Sequence, residues 1–447
     1  MIKAKAIIIA AIVTVLIASL TGCEAITTIL GSGEPEVEPV TLAFAYPWDG
    51  SGTIKKLAAE FEERNEGIKL ELAEGGQAYD YLDDITAAFE SGDDVPDVLL
   101  IHDTWIHSLA ASDYIKPIDN VLPLNRSSEF WAGMMAGARI GSGSFGIPLY
   151  QDAGLLYYRT DLIDDPPTTW QQLEECTTEI ANASPLPYLF LFPADSIDNR
   201  SYFTAELLSS WQAVPEFREK PAKIQEDGAL KAFQVLERFI ANGVVSKDVL
   251  EINAEHARQQ FEKGNVLFMW NWSYAWKLLN DPDSPIYGKV GVIPMPAGIE
   301  GSSHQSLLSG WYLVIARNSQ KSAEAELLIE FLTSNEAQIR LAVEGGLLPS
   351  RKNLYKQTDW QIAAGINRIM ADLFETGRTM GTGKDFIGQM EVVGNTLYQA
   401  VTNAKGPGSV LDALKLGLVR DSGDEAAGEP EVSDNGGTNT INTGAGE

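Results

Sequence analysis

The sequence predicts an α/β fold of two lobes, and three observations carry that expectation. From Val40 to Ile101, strand-like and helix-like segments alternate in the order βαβαβ, the pattern of a doubly wound lobe. With both polar ends set aside roughly 380 residues remain, more than a single hydrophobic core usually organises. The chain carries only two cysteines, Cys23 and Cys176, so burial rather than cross-linking has to hold it together.

Each element follows from its residues. Val40 to Ala45 reads as a strand and Thr53 to Asn65 as a helix. Ile68, Leu70 and Leu72 alternate as strand residues do, with one face buried. Tyr79 to Ser91 is helical, and Val98 to Ile101 is a continuous apolar run suited to a strand covered on both faces. Beyond Ile147-Pro148-Leu149-Tyr150 a second lobe begins. There Thr169 and Gln172 have the spacing of a capping box, opening a helix towards Ala183. Ala229, Leu230, Phe233, Leu236, Phe239 and Ile240 form an apolar helical stripe closed by Gly243. A strand over Tyr312 to Ile315, helices over Ala323 to Ser334 and Glu336 to Glu344, and two helical stretches between Ile387 and Leu418 complete the body.

The two ends differ in kind. Lys3 and Lys5 precede an apolar run from Ala6 to Leu20 that is too short to span a bilayer comfortably, so residues 1–22 read as a signal peptide. The run closes in Leu20-Thr21-Gly22-Cys23, which resembles the bacterial lipobox; that resemblance makes Cys23 the lipidated first residue of the mature chain. Residues 23–39 mix Gly, Glu, Pro and Ser as a tether would. Residues 421–447 are almost devoid of apolar side chains and are expected to be a disordered acidic tail. Net charge is −29, from 33 Lys and Arg against 62 Asp and Glu. That balance disfavours nucleic acid and anionic lipid surfaces as partners.

The segment Met269-Trp270-Asn271-Trp272-Ser273-Tyr274-Ala275-Trp276 is half aromatic, in a chain that is 9% aromatic overall. A sugar needs flat rings to stack on and polar groups to bond its hydroxyls. With a strand over Phe268 to Trp270 and a helix from Trp272 to Asn280, Trp272 and Tyr274 fall on the first helical turn as ligand contacts. Trp276 then shares Trp272's face, and Trp270 and Trp276 are expected in the core. Asp49 and Asp103 each follow a strand that ends at the carboxyl edge of the first lobe, where loops open into a cleft; a turn or helix-capping role competes for both. Tyr150 and Asp152 sit at the first crossing between lobes. Gln77 and Arg378 are weaker polar candidates.

The order of landmarks along the chain resembles the family 1 extracellular solute-binding lipoproteins of carbohydrate ABC importers, closest to the maltose- and trehalose-binding branch. The landmarks are Pro96-Asp97-Val98, Asp103-Thr104-Trp105, Gly146 to Gly154, Leu156 to Arg159, Thr169-Trp170, the Trp-Asn-Trp-x-Tyr-Ala-Trp segment, Gly288 to Gly291, Gly310-Trp311 and Gly345 to Arg351. The resemblance runs from about Val40 to about Leu418 and implies a two-lobed periplasmic-binding-protein fold, type II-like, closing on a ligand about a multi-strand hinge. It implies lobe one as residues 40–149 with 289–344, and lobe two as 150–288 with 345–420. It also places ligand contacts at Gly310 and Trp311, where glycine offers a close backbone approach beside a ring. Between Ala183 and Trp211 this chain is shorter than its relatives, with Pro185-Leu186-Pro187-Tyr188 in place of a more polar loop.

The function implied is a monomeric extracytoplasmic receptor, anchored by acyl chains on Cys23, that delivers a di- or oligosaccharide to ABC permease subunits. No cofactor or metal enters this reading. The four histidines lack metal-ligand spacing, His102 and His107 reading as one near-site and one surface residue, and no nucleophile elbow or phosphate loop is present. Two rival readings stand beside it: a carbohydrate-active hydrolase using paired carboxylates, and a sugar-sensing lipoprotein without a transporter.

Overall fold

In the computed structural model the described residues are 39–421, except 77, 93–94, 120–126, 184–185, 216–221, 300–306, 358–367, 381–385 and 403–405. Cys23, Gln77, the signal peptide and residues 422–447 therefore lie outside the described residues. The strands in chain order are β1 (Val40–Tyr46), β2 (Ile68–Glu74), β3 (Val98–His102), β4 (Ile115–Lys116), β5 (Arg139–Ile140), β6 (Gly143–Ser144) and β7 (Ile147–Arg159). They continue with β8 (Tyr188–Leu191), β9 (Val266–Trp272), β10 (Val290–Ile293), β11 (Leu307–Ala316), β12 (Leu348–Pro349) and β13 (Arg378–Thr379).

The opening βαβαβ forms as its residues dictate. β1 lies parallel to both β2 and β3, and the helices Thr53–Arg64 and Ala78–Ser91 make the crossovers. All five residues of β3 are buried, which explains its unbroken apolar run. Around this sheet Phe44, Leu57, Phe61, Leu100, Leu313, Leu328 and Leu341 form one core, so the helices Ser322–Leu332 and Asn335–Gly345 return to the first lobe.

The two lobes share β7. Its first half pairs antiparallel with β11 from Ile147 to Ala153. Its second half pairs with β9 from Gly154 to Tyr158 and with β10 from Leu156 to Arg159. The short β12 joins it opposite Tyr150 and Gln151. A single 13-residue strand thus runs out of one sheet and into the other. β8 extends the second sheet parallel to β9. Val290–Ile293 hydrogen-bonds to β7's second half and so lies in the sheet that β7 forms with β9.

In the second lobe the capping box at Thr169 forms: the Thr169 amide donates to Gln172 Oε1 at 3.2 Å, and the Gln172 amide donates to Thr169 Oγ1 at 3.2 Å. The stripe from Ala229 to Ile240 lies on the helix Glu226–Ala241, and Gly243 follows in the left-handed conformation with φ 71°. Helices Ile197–Ser209, Phe386–Thr402 and Pro407–Asp421 pack beside it. Among the described residues no helix is long and apolar enough to cross a membrane.

Candidate functional site

The aromatic segment is built differently from the expectation. β9 continues through Asn271 and Trp272, which pair with Leu155 and Gly154 of β7, and the helix starts only at Tyr274. Trp272 therefore ends a strand and does not share a helical face with Trp276. Strand alternation sends Trp270 and Trp272 to one side, where their ring centroids lie 5.1 Å apart. Trp270 is 0% exposed and lies over Gly154, where an added Cβ would sit 2.3 Å from the indole Nε1. Trp272 and Tyr274 keep part of their surface open, and so does Trp276, which was expected in the core.

Asp152 fixes this turn. Its Oδ1 accepts from the Ser273 amide and from the Ala153 amide, each at 2.8 Å. Burial pushes its carboxyl up to about 6, and the hydrogen bonds from Ser273 and Ala153 oppose the rise. Tyr157 adds a second tie, its hydroxyl donating to the Trp272 carbonyl at 2.8 Å.

Across the junction, lobe one presents Trp311 on β11. Its ring stands edge-on to His102 at 5.3 Å and to Trp105 at 5.5 Å, and is stacked with Tyr150 at 6.4 Å. Trp311 is half-buried, whereas Tyr150 and Trp105 are buried. Gly310 beside it does make a close approach, but to the protein: an added Cβ would lie 2.4 Å from Met134 Cε and 2.7 Å from the Tyr150 carbonyl. Its smallness serves the contact of β11 with β7, at the place where their register shifts.

Between the two aromatic groups lies a buried polar cluster. Asp103 opens a 3-10 turn directly after β3. Its Oδ1 accepts from the Tyr202 hydroxyl at 3.0 Å and the Ser309 hydroxyl at 3.4 Å. His102 Nε2 lies 2.8 Å from Ser309 Oγ, and its Nδ1 lies 2.8 Å from Thr104 Oγ1. Burial lowers the His102 imidazole to about 3, keeping it neutral. Burial also raises the Asp103 carboxyl to about 7; the Tyr202 bond opposes that rise and the negative charge of Asp198 adds to it. Tyr202 and Ser309 were not among the sequence candidates, and His102 was read only as lying near the site. Tyr202 sits on a helix of mixed polar and apolar residues that is buried from Ser201 to Ser209, which its sequence does not announce.

Asp49 makes the hydrogen bonds of a turn and helix start. Its Oδ1 accepts from the Ser51 amide at 3.0 Å and the Ser51 hydroxyl at 2.5 Å, and its Oδ2 accepts from the Ile54 amide at 2.8 Å. The carboxylate thus holds the first turn of the Thr53–Arg64 helix. The neighbouring Trp48 is 61% exposed. Arg378 lies on β13, its backbone paired with Leu307 at the start of β11. His107 is buried rather than at the surface, its Nε2 lying 3.1 Å from the Gly137 carbonyl. Among the described residues no group of three His, Cys, Asp or Glu side chains is arranged to hold a metal ion.

Two α/β lobes joined by a shared strand, with half-open rings from each lobe facing a polar cluster at the junction, define a two-lobed ligand receptor of the periplasmic-binding-protein class. The chain belongs to the bacterial extracellular solute-binding protein family, whose model matches residues 48–339. A probable ABC transporter-binding protein of Deinococcus radiodurans is 26% identical over 341 residues, covering 73% of this chain and 80% of its own. An uncharacterised lipoprotein of Streptomyces antibioticus is 23% identical, covering 75% of this chain and 74% of its own. Maltose-bound MalE3 of T. maritima shares the fold with a TM-score of 0.77 at 27% identity, covering 85% of this chain and 99% of its own. The family is one of binding proteins and not of enzymes.

Proposed function

We propose that the chain is the extracytoplasmic receptor of an ABC importer for a di- or oligosaccharide of the maltose or trehalose kind. One observation carries the reading: Trp311 and Trp272 come from opposite lobes and flank the buried donors and acceptors of His102, Asp103, Tyr202 and Ser309. Rings that cover the apolar faces of a sugar, beside groups that bond its hydroxyls, are what such a ligand requires. The maltose bound to the T. maritima protein and the transporter named for the Deinococcus relative support the same ligand class and partner.

The moving units are residues 40–149 with 294–344, and residues 150–293 with 345–421, hinged where β7, β11 and β12 meet. A sugar that touches both units favours the closed form by its differential affinity for it. Micromolar binding corresponds to about 8 kcal/mol, within reach of two stacked rings and several hydroxyl bonds net of ordering costs. The receptor works as a monomer held to the membrane by acyl chains on Cys23. The lipobox-like Leu20-Thr21-Gly22-Cys23 and the lipoprotein relative from Streptomyces support the anchor.

A thermal-shift screen against di- and oligosaccharides tests the reading, because a ligand bound only by the folded chain raises its melting temperature. A maltose- or trehalose-type sugar should raise it by several degrees at saturation. A panel in which no sugar moves it would remove the sugar reading.

A further inference from the structure

We propose that Tyr202 and Asp103 form a latch across the cleft that holds the two lobes together before any sugar arrives. The inference rests on the receptor reading above and adds to it a resting contact with which the ligand must compete.

The geometry points both ways across the junction. Asp103 belongs to lobe one, in the turn after β3. Tyr202 belongs to lobe two, on the helix Ile197–Ser209, which packs against the helix Phe386–Thr402. The Tyr202 hydroxyl donates to Asp103 Oδ1 at 3.0 Å, and both side chains are buried. The tyrosine ring is edge-on to His102 of lobe one at 5.7 Å and to Trp272 of lobe two at 5.0 Å. Ser309 steadies the acceptor from β11, bonding both Asp103 and His102. A hydrogen bond to a carboxyl shielded from water is stronger than one at the surface. Opening the lobes would separate this pair and wet both groups. A sugar hydroxyl has the same donor chemistry as the tyrosine hydroxyl, so a sugar reaching Asp103 has to take the place that Tyr202 holds.

The latch also senses pH. The titratable groups facing Asp103 are His102 on β3, Tyr202 and Asp198 on the helix Ile197–Ser209, and Tyr312 on β11. Burial keeps His102 neutral and raises both tyrosines well above their ordinary range. Asp103, raised to about 7 by the same burial, titrates in the neutral range. A carboxyl exposed by opening returns towards its ordinary value near 4. The closed form therefore holds the proton more tightly, and closure strengthens as pH falls from about 7 towards 4.

Spin-label distances on the full chain test this directly. Labels go on cysteines introduced as Lys55→Cys and Glu237→Cys, one exposed site in each lobe, with Cys23→Ser and Cys176→Ser. Without sugar, Tyr202→Phe should lower the closed-to-open ratio about tenfold, equivalent to about 1.4 kcal/mol. The parent's closed fraction should fall between pH 5 and pH 8, whereas Asp103→Asn, which keeps an acceptor but cannot titrate, should hold it constant. A Tyr202→Phe chain with the parent's distance distribution overturns the latch. An Asp103→Asn chain with the parent's pH response overturns it equally, and decides the matter should Tyr202→Phe fail to fold. Sugar is absent from these measurements. A parent that no sugar closes would count against the receptor reading and leave the latch result standing.

Discussion

Replacing Trp272 by alanine separates a ligand platform from a core residue in one protein. The side chain is half-buried, edge-on to Tyr202 at 5.0 Å and tilted against Trp270 at 5.1 Å. Truncating a fully buried Trp costs about 3–5 kcal/mol. Trp272 leaves part of its ring open and its carbonyl stays tied by Tyr157, so its truncation should cost about 1–2 kcal/mol of stability. Removing a stacking ring should weaken sugar binding by at least ~1.4 kcal/mol, about tenfold. Trp270→Ala is the contrast: with 0% exposure it should lose about 3–5 kcal/mol of stability. Titration calorimetry with the most stabilising sugar of the panel, beside a denaturant melt of each variant, reads both quantities. A well-folded Trp272→Ala chain with the parent's sugar affinity would refute the platform.

Three further outcomes are expected, two from the structure and one from the sequence. Gly310→Ala places a Cβ 2.4 Å from Met134 Cε and 2.7 Å from the Tyr150 carbonyl, and should cost about 1–3 kcal/mol in a denaturant melt. Asp152, raised to about 6 by burial, binds its proton more tightly folded than unfolded. Its contribution is thus fully present below the ordinary carboxylate range and lost as pH rises through about 6. The melting temperature should decline over that window, with a shallower slope in Asp152→Asn; equal slopes would contradict the assignment. Cys23→Ala should release the protein from the membrane fraction or leave its signal uncleaved, and a correctly processed Cys23→Ala protein that stays membrane-bound would dismiss the anchor.

The strands of the first lobe and the helix start at Thr169 in the second were legible because their signals are local. Alternating or continuous apolar residues over Val40–Ala45, Ile68–Leu72 and Val98–Ile101 mark strands whatever their partners, and the Thr169–Gln172 spacing closes its own hydrogen bonds. The length of β9 was not legible. Asn271 and Trp272 are strand residues only because β7 runs past Tyr150 into the second sheet and supplies Leu155 and Gly154 opposite them. The polar cluster was half legible for the same reason. Asp103 announces itself by following a strand, but Tyr202 lies between Ser201 and Phe203 on a helix of mixed polarity, and its acceptor lies 99 residues away. Asp49 shows the converse: a carboxylate two residues before a serine and five before a helical amide has its hydrogen bonds supplied locally.

The position of β11 in the sheet bears on the order in which the polypeptide can assemble. β3 pairs with β1 on one side and with β11 on the other, yet more than 200 residues separate His102 from Leu307. A growing chain that ends short of Leu307 can form three parallel strands, β2, β1 and β3, but leaves the apolar edge of β3 bare. The helices Ser322–Leu332 and Asn335–Gly345, which complete the same core, are made later still. The first core therefore cannot close until Leu307–Ala316 and the helices after it have been made, and long-range pairing of this kind is the slower part of folding. What closes the first core is thus made more than 200 residues after the strand it covers.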